Sequence, residues 1–193
     1  MAAKVDIFNE ALALLGANQI SDPDGAGIAA TINSVYDSCR LSLIESHPWN
    51  FAIKRASLGQ QVTTPEFQYA YQYTLPADCI RVLKFYDLSD DWAEEDGMIL
   101  TDSSEVSAIY VADITDVNAM TALFRKTLAY DIASTVGYTI TQNQGLVEHL
   151  VARRQQIFVQ AKLIDGQKTN PILNAFTSNA VRASQIQYGD LDD

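Results

Sequence analysis

Histidine, cysteine, basic charge and long apolar runs are all scarce in this chain of 193 residues, and each scarcity removes a class of function. Only two histidines occur, His47 and His149, which leaves hydrolytic triads and imidazole-based metal sites little to work with. The two cysteines, Cys39 and Cys79, have no CxxC spacing and no neighbouring histidine. Neither a disulfide scaffold nor a zinc site is signalled, and both read as reduced, small core residues. No serine sits in a Gly-x-Ser-x-Gly elbow and no glycine-rich run opens a helix as a phosphate loop does, which disfavours nucleophilic catalysis and nucleotide hydrolysis. No apolar run approaches the ~20 residues that span a bilayer. The mixed pattern Val5-Asp6-Ile7-Phe8-Asn9-Glu10 after Lys4 is not the apolar stretch of a signal peptide. The expectation is a soluble protein of a reducing compartment, without cofactor, metal or membrane.

Basic residues number 13 against 24 acidic ones, giving a net charge of -11 and a pI near 4.4. Such a balance argues against a broad affinity for phosphate backbones or anionic membranes. What the chain does have is apolar content: 48% hydrophobic residues over this length can bury roughly 70% of the surface of the unfolded form.

Periodicity divides the chain. Val5, Phe8, Leu12 and Leu15 step by three and four, so residues 3–15 read as an amphipathic helix ended by Gly16. Ser21-Asp22-Pro23-Asp24-Gly25 is turn chemistry. Ile28, Ile32, Val35, Cys39 and Leu43 then predict a second helix over about 26–46, with Pro48 unfavourable to its continuation. From Phe51 the pattern becomes strand-like: residues 51–58, 69–75 with Tyr69, Tyr71 and Tyr73 on one face, 80–86, 97–101 and 106–111. These predict one antiparallel sheet of four or five strands. Phe124, Leu128, Ile132, Val136 and Ile140 restore the helical step, Asn143-Gln144-Gly145 breaks it, and Leu146, Leu150, Ile157, Ala161 and Ile164 predict a last helix over about 146–165. The segment from Gly166 to Asp193 has scattered apolar residues without a period and is expected to order only against a partner.

The acidic stretch Asp87-Leu88-Ser89-Asp90-Asp91-Trp92-Ala93-Glu94-Glu95-Asp96 is the first place to look for chemistry. It fails the calcium-loop pattern: counted from Asp87, position six is Trp92 where glycine belongs, and position twelve is Met98 where a bidentate glutamate belongs. A glycan hydrolase using acids of the 87–96 segment, with Trp92 as a sugar platform, is the alternative reading. A polar acidic loop, however, supplies no apolar pocket to raise the pKa of a catalytic acid. A solvated hairpin tip is the simpler expectation.

Three segments carry something more specific: Tyr36-Asp37-Ser38-Cys39-Arg40, His47-Pro48-Trp49-Asn50-Phe51-Ala52 and Lys54-Arg55-Ala56-Ser57-Leu58. With Tyr73-Thr74-Leu75-Pro76-Ala77-Asp78-Cys79-Ile80-Arg81-Val82, Ile109-Tyr110-Val111-Ala112-Asp113-Ile114-Thr115-Asp116 and the opening Ala11-Leu12-Ala13-Leu14-Leu15-Gly16-Ala17, they span about residues 5–165 in order. This set resembles the tail tubular protein A family, the head-to-tail adaptors of short-tailed bacteriophages. The resemblance implies a structural virion protein and no enzyme. It implies a ring of about a dozen copies between the portal protein at the capsid vertex and the tail nozzle protein, through which DNA passes without sequence-specific binding.

The expected fold is α+β: a four-helix bundle from residues 1–50 and 118–165, an inserted antiparallel β domain at 51–117, and a C-terminal portal-binding arm at 166–193. His47, Pro48, Trp49 and Phe51 are expected at the junction of bundle and sheet, with His47 and Pro48 ending the second helix. Pro76 closes a strand with Asp78 as a local cap. Asn170, Pro171, Ile172, Leu173, Phe176 and Tyr188 are the arm's expected anchors on the portal. Excess acid on the channel wall would let the strand slide.

Overall fold

A computed structural model describes residues 3–86 and 91–168 of the chain. The fold is mixed α+β, with four helices and two small antiparallel sheets among the described residues. Helices α1 (Lys4–Leu14) and α2 (Ile28–Glu45) come first. Seven strands follow: β1 (Ile53–Ser57), β2 (Gly59–Gln60), β3 (Tyr71–Thr74), β4 (Cys79–Tyr86), β5 (Trp92–Glu95), β6 (Met98–Thr101) and β7 (Ser107–Ala112). Helices α3 (Ala122–Thr141) and α4 (Gln144–Gly166) complete the described chain. No described helix is long and apolar enough to cross a membrane.

Local chemistry sets the helix ends. The Asp6 carboxylate accepts the Ala3 amide at 2.7 Å, and Thr121 accepts the Phe124 amide, each satisfying a donor that a helix N-terminus leaves open. Gly16, at φ 69°, follows α1. The turn after it is tied back by a two-way bond: the Asn9 amide donates to the Ile20 carbonyl at 3.0 Å, and the Ile20 amide donates to Asn9 Oδ1 at 2.8 Å. Between α3 and α4 the break comes earlier than Gly145. Gln142 takes the left-handed conformation, and Asn143 caps α4 by accepting the Leu146 amide at 3.1 Å, so Gly145 lies inside the helix.

The β region is two sheets rather than one. The first has the order β1-β7-β4 and the second β2-β3-β6-β5, all antiparallel. Strand β5 arises where composition hides it: Trp92–Glu95, within the acidic stretch, pairs with β6. Asp96 and Gly97, both at positive φ, make the two-residue turn between them, the geometry that suits the twist of a tight hairpin.

Two irregularities in β4 distribute its side chains. The register with β7 slips between Cys79 and Arg81 and again between Val82 and Lys84, leaving Ile80 and Leu83 as the extra residues. Ile80 and Leu83 pack towards the helices, while Val82 and Phe85 pack against a second, smaller core. Strict alternation would have put Ile80 and Val82 on the same face.

Helix α3 packs against α1, α2 and α4. The large core takes Phe8, Leu12, Ile32, Trp49, Phe124 and Leu128 from this helical side, with Val111 from β7. The first sheet therefore shares the helices' core. The small core holds Leu58, Tyr73, Ile99, Val106 and Ala108.

Candidate functional site

The segment joining α2 to β1 is where helices and sheet meet. Helix α2 ends at Glu45, two residues before His47, with the Ser46 amide bonded to the Ser42 carbonyl. His47 and Pro48 therefore lie just past the helix end, at the position where a proline cannot continue it. Trp49 is fully buried and its indole N–H donates to the Leu43 carbonyl at 2.8 Å, which folds the segment back onto the end of α2. Its ring meets Phe124 of α3 edge-on at 5.1 Å and lies 6.2 Å from Phe158 of α4. Phe51, half-buried, also meets Phe124 at 4.9 Å. One short segment thus touches both C-terminal helices.

Asp165, in the last turn of α4, completes this joint and was not marked by the sequence patterns. Its Oδ2 accepts the Asn50 amide at 2.9 Å and lies 3.6 Å from His47 Nε2, while its carbonyl accepts the Asn50 side chain at 2.6 Å. Burial would raise the Asp165 pKa, but the bonds from His47 and Asn50 outweigh it and hold the carboxyl below its ordinary value. Its other oxygen, Oδ1, is buried with no hydrogen-bond partner among the described residues. A carboxylate at a helix C-terminus opposes the helix dipole, and the bonds from Asn50 and His47 offset that cost.

Arg40 makes the second joint. It is buried on α2, and Nη1 bonds the Asp113 carboxylate and, at 2.9 Å, the Ile114 carbonyl just past β7. Nη2 and Nε reach Asp37 at 3.3 Å. Burial works against the Arg40 charge, and Asp113 and Asp37 more than restore it, raising its pKa. The chain leaving the sheet for α3 is in this way fastened to α2.

Asp78 makes the third joint, through partners far along the chain. The turn at Pro76 closes through the Cys79 amide and the Pro76 carbonyl at 2.8 Å. The Asp78 carboxylate instead accepts Lys54 Nζ of β1 at 2.7 Å and the Tyr110 hydroxyl of β7 at 3.1 Å. The Lys54 ammonium holds its pKa below the ordinary value. A long-range pair wins here because β1, β7 and the start of β4 are adjacent in the sheet, which brings all three groups together.

The acidic stretch has a different geometry. Asp87 and Asp90 lie outside the described residues. Glu94 and Glu95 are exposed neighbours on β5, so their side chains leave opposite faces of the strand. The Tyr69 hydroxyl donates to Asp91 at 3.1 Å, and Trp92 meets Phe85 edge-on at 5.0 Å, leaving its ring partly exposed. A surface groove of about 280 Å³ runs beside this hairpin, lined by Phe67, Tyr69, Glu95, Asp96 and Met98 among others. Among the described residues no three His, Cys, Asp or Glu side chains are placed to hold a metal ion together. Cys39 and Cys79 are free and half-buried, and burial is the main cause raising both thiol pKa values.

The arm residues Asn170, Pro171, Ile172, Leu173, Phe176 and Tyr188 lie outside the described residues. The chain matches no known protein-family model, and no curated protein is detectably similar to it.

Proposed function

We propose that this chain is a non-catalytic head-to-tail adaptor subunit of a short-tailed bacteriophage virion. In this reading it joins about a dozen copies of itself in a ring between the portal protein and the tail nozzle protein at the portal vertex. Its helices act as a four-helix bundle carrying the 51–117 region as an insert, and its C-terminal arm, 166–193, engages the portal.

The observation that carries the reading is the meeting of the motif segments that suggested the family. Arg40 of the first motif bonds Asp113 and Ile114 of the return strand, and Lys54 bonds Asp78 of the strand segment. His47 and Asn50 hold the last turn of α4, from which the arm departs. Those segments are therefore the parts that fix helices, sheet and the root of the arm relative to one another. A subunit that must present fixed faces to neighbours needs such joints more than it needs a cleft.

The net charge of -11 supports a role for the assembled ring as a passage that repels the DNA phosphates. Deleting residues 167–193 and measuring co-sedimentation with portal rings tests the arm's part. Loss of binding is expected, and unchanged binding would show the arm to be dispensable.

A further inference from the structure

Among the described residues, nothing covers the outward face of α4. At 100° per residue, the buried positions Leu150, Ile157, Phe158 and Ala161 define one side of the helix. Ala152, Gln156, Val159 and Leu163 run along the opposite side at steps of four, three and four. That spacing is the heptad seam by which one helix seats on another. All four residues are exposed, Leu163 by 65%, and the seam extends for about 17 Å. Its flanks are basic, with Arg153 on one side and Lys162, which lies 4.4 Å over the Phe158 ring, on the other. The neighbouring cation Arg154 is already paired with Asp131 of α3.

Helix α2 offers the complement. Its exposed positions Ser34, Ser38, Leu41 and Glu45 repeat the same four-three-four step, with Asp37 at the edge. Two of these side chains, Ser34 and Ser38, are small, and with α2 antiparallel to α4 they stand opposite Leu163 and Val159, which permits close approach of two helix axes. The one arginine of α2, Arg40, is buried in its own joint with Asp37 beside it, so among the described residues the unpaired exposed charge of this seam is that of Glu45. The sides of α2 and α4 that face solvent are different surfaces on one subunit, each fitted to the other in size and in sign.

We infer that the outward face of α4 docks on the exposed face of α2 in a second copy of this chain. The contact is heterologous, so a docked pair keeps one free face of each kind, one on each copy, and the arrangement propagates until it closes. The choice of a second copy as occupant rests on the adaptor reading; the choice of faces rests on the seams and their charges.

Single cysteines report the contact. In full-length chain with Cys39→Ser and Cys79→Ser, Ser38→Cys marks α2 and Val159→Cys marks α4. The two proteins are mixed at about millimolar concentration, where even a weak contact is populated. They are then treated with a bismaleimide of roughly the 8–10 Å that separates packed helix axes. The mixture is expected to give a species of twice 21.3 kDa in at least tenfold excess over either protein alone. Adding Leu163→Glu to the α4-marked copy should remove it.

Equal cross-linking of each protein with itself, no cross-linking at all, or indifference to Leu163→Glu would overturn the inference. A Val159→Cys thiol that reacts only after residues 169–193 are deleted would overturn it too, by naming the chain's own terminus as the occupant. Wild-type chain that joins portal rings while the cross-link fails sinks this contact alone. A cross-link without portal binding sinks the adaptor reading instead.

Discussion

Trp49 and Tyr73 are both buried aromatics with a satisfied polar atom, yet they hold together regions of very different build. Trp49 sits in the large core, where α1, α2, α3, α4 and the first sheet all contribute buried side chains. Around it the chain crossings are fastened by Arg40, Asp165 and Asp78, each bonded to residues far away in sequence. Tyr73 sits in a small core of five buried residues, and its hydroxyl donates to the Ser103 carbonyl at 2.8 Å. The loop beside it exposes Val62 completely and Phe67 by 78%. The first region is fixed by its own contacts. The second leaves apolar surface in water around its small core, as α4 does only on its outward face.

Three substitutions probe that contrast, and the largest effect belongs to the large core. Trp49→Ala is expected to cost about 3–5 kcal/mol, since it removes a fully buried indole and the bond to Leu43 together. Denaturant unfolding should show the loss as one global shift, and a loss confined to the four-stranded sheet would break the comparison.

Asp165→Asn should cost about 1–3 kcal/mol at neutral pH, by weakening the hold on His47 and Asn50. Its pH signature is more telling. Because the folded pKa of Asp165 lies below the unfolded value, its contribution is complete above the unfolded value near 4. It is lost as pH falls through the folded pKa. Acid unfolding of the asparagine variant should therefore be flatter than that of the parent below about pH 4. Parallel curves would show that the joint does not depend on the charge.

Tyr73→Phe should cost only about 1 kcal/mol, the net worth of one hydrogen bond. Hydrogen exchange should rise in β3 and β6 and stay unchanged in α3 and α4. A rise spread over the helices would mean that the two cores unfold as one.

The same contrast explains what the sequence made legible. All four helices announced themselves, because Phe8 and Leu12, Ile32 and Leu43, Phe124 and Leu128, or Leu150 and Ile157 recur at the helical step and are indeed buried. Trp49 was legible as a large apolar body next to a proline. Strand β5 was not, since Trp92-Ala93-Glu94-Glu95 has the composition of a solvated loop; Asp96-Gly97, a two-residue hairpin turn, was the available signal. The division into two sheets stayed hidden because the bulges at Ile80 and Leu83 leave no mark in a pattern of alternating residues. Asp165 looked like an ordinary acid at a helix end, and its partners lie 115 residues away, beyond the reach of any local pattern.

The proposed adaptor role requires that the chain work by assembling rather than by catalysis. Electron microscopy of the purified full-length protein mixed with portal rings tests it most directly. A second annulus of copies stacked on the portal, with a central channel, is expected. Portal rings left bare, alongside a free 21.3 kDa chain that degrades a polysaccharide by itself, would contradict it.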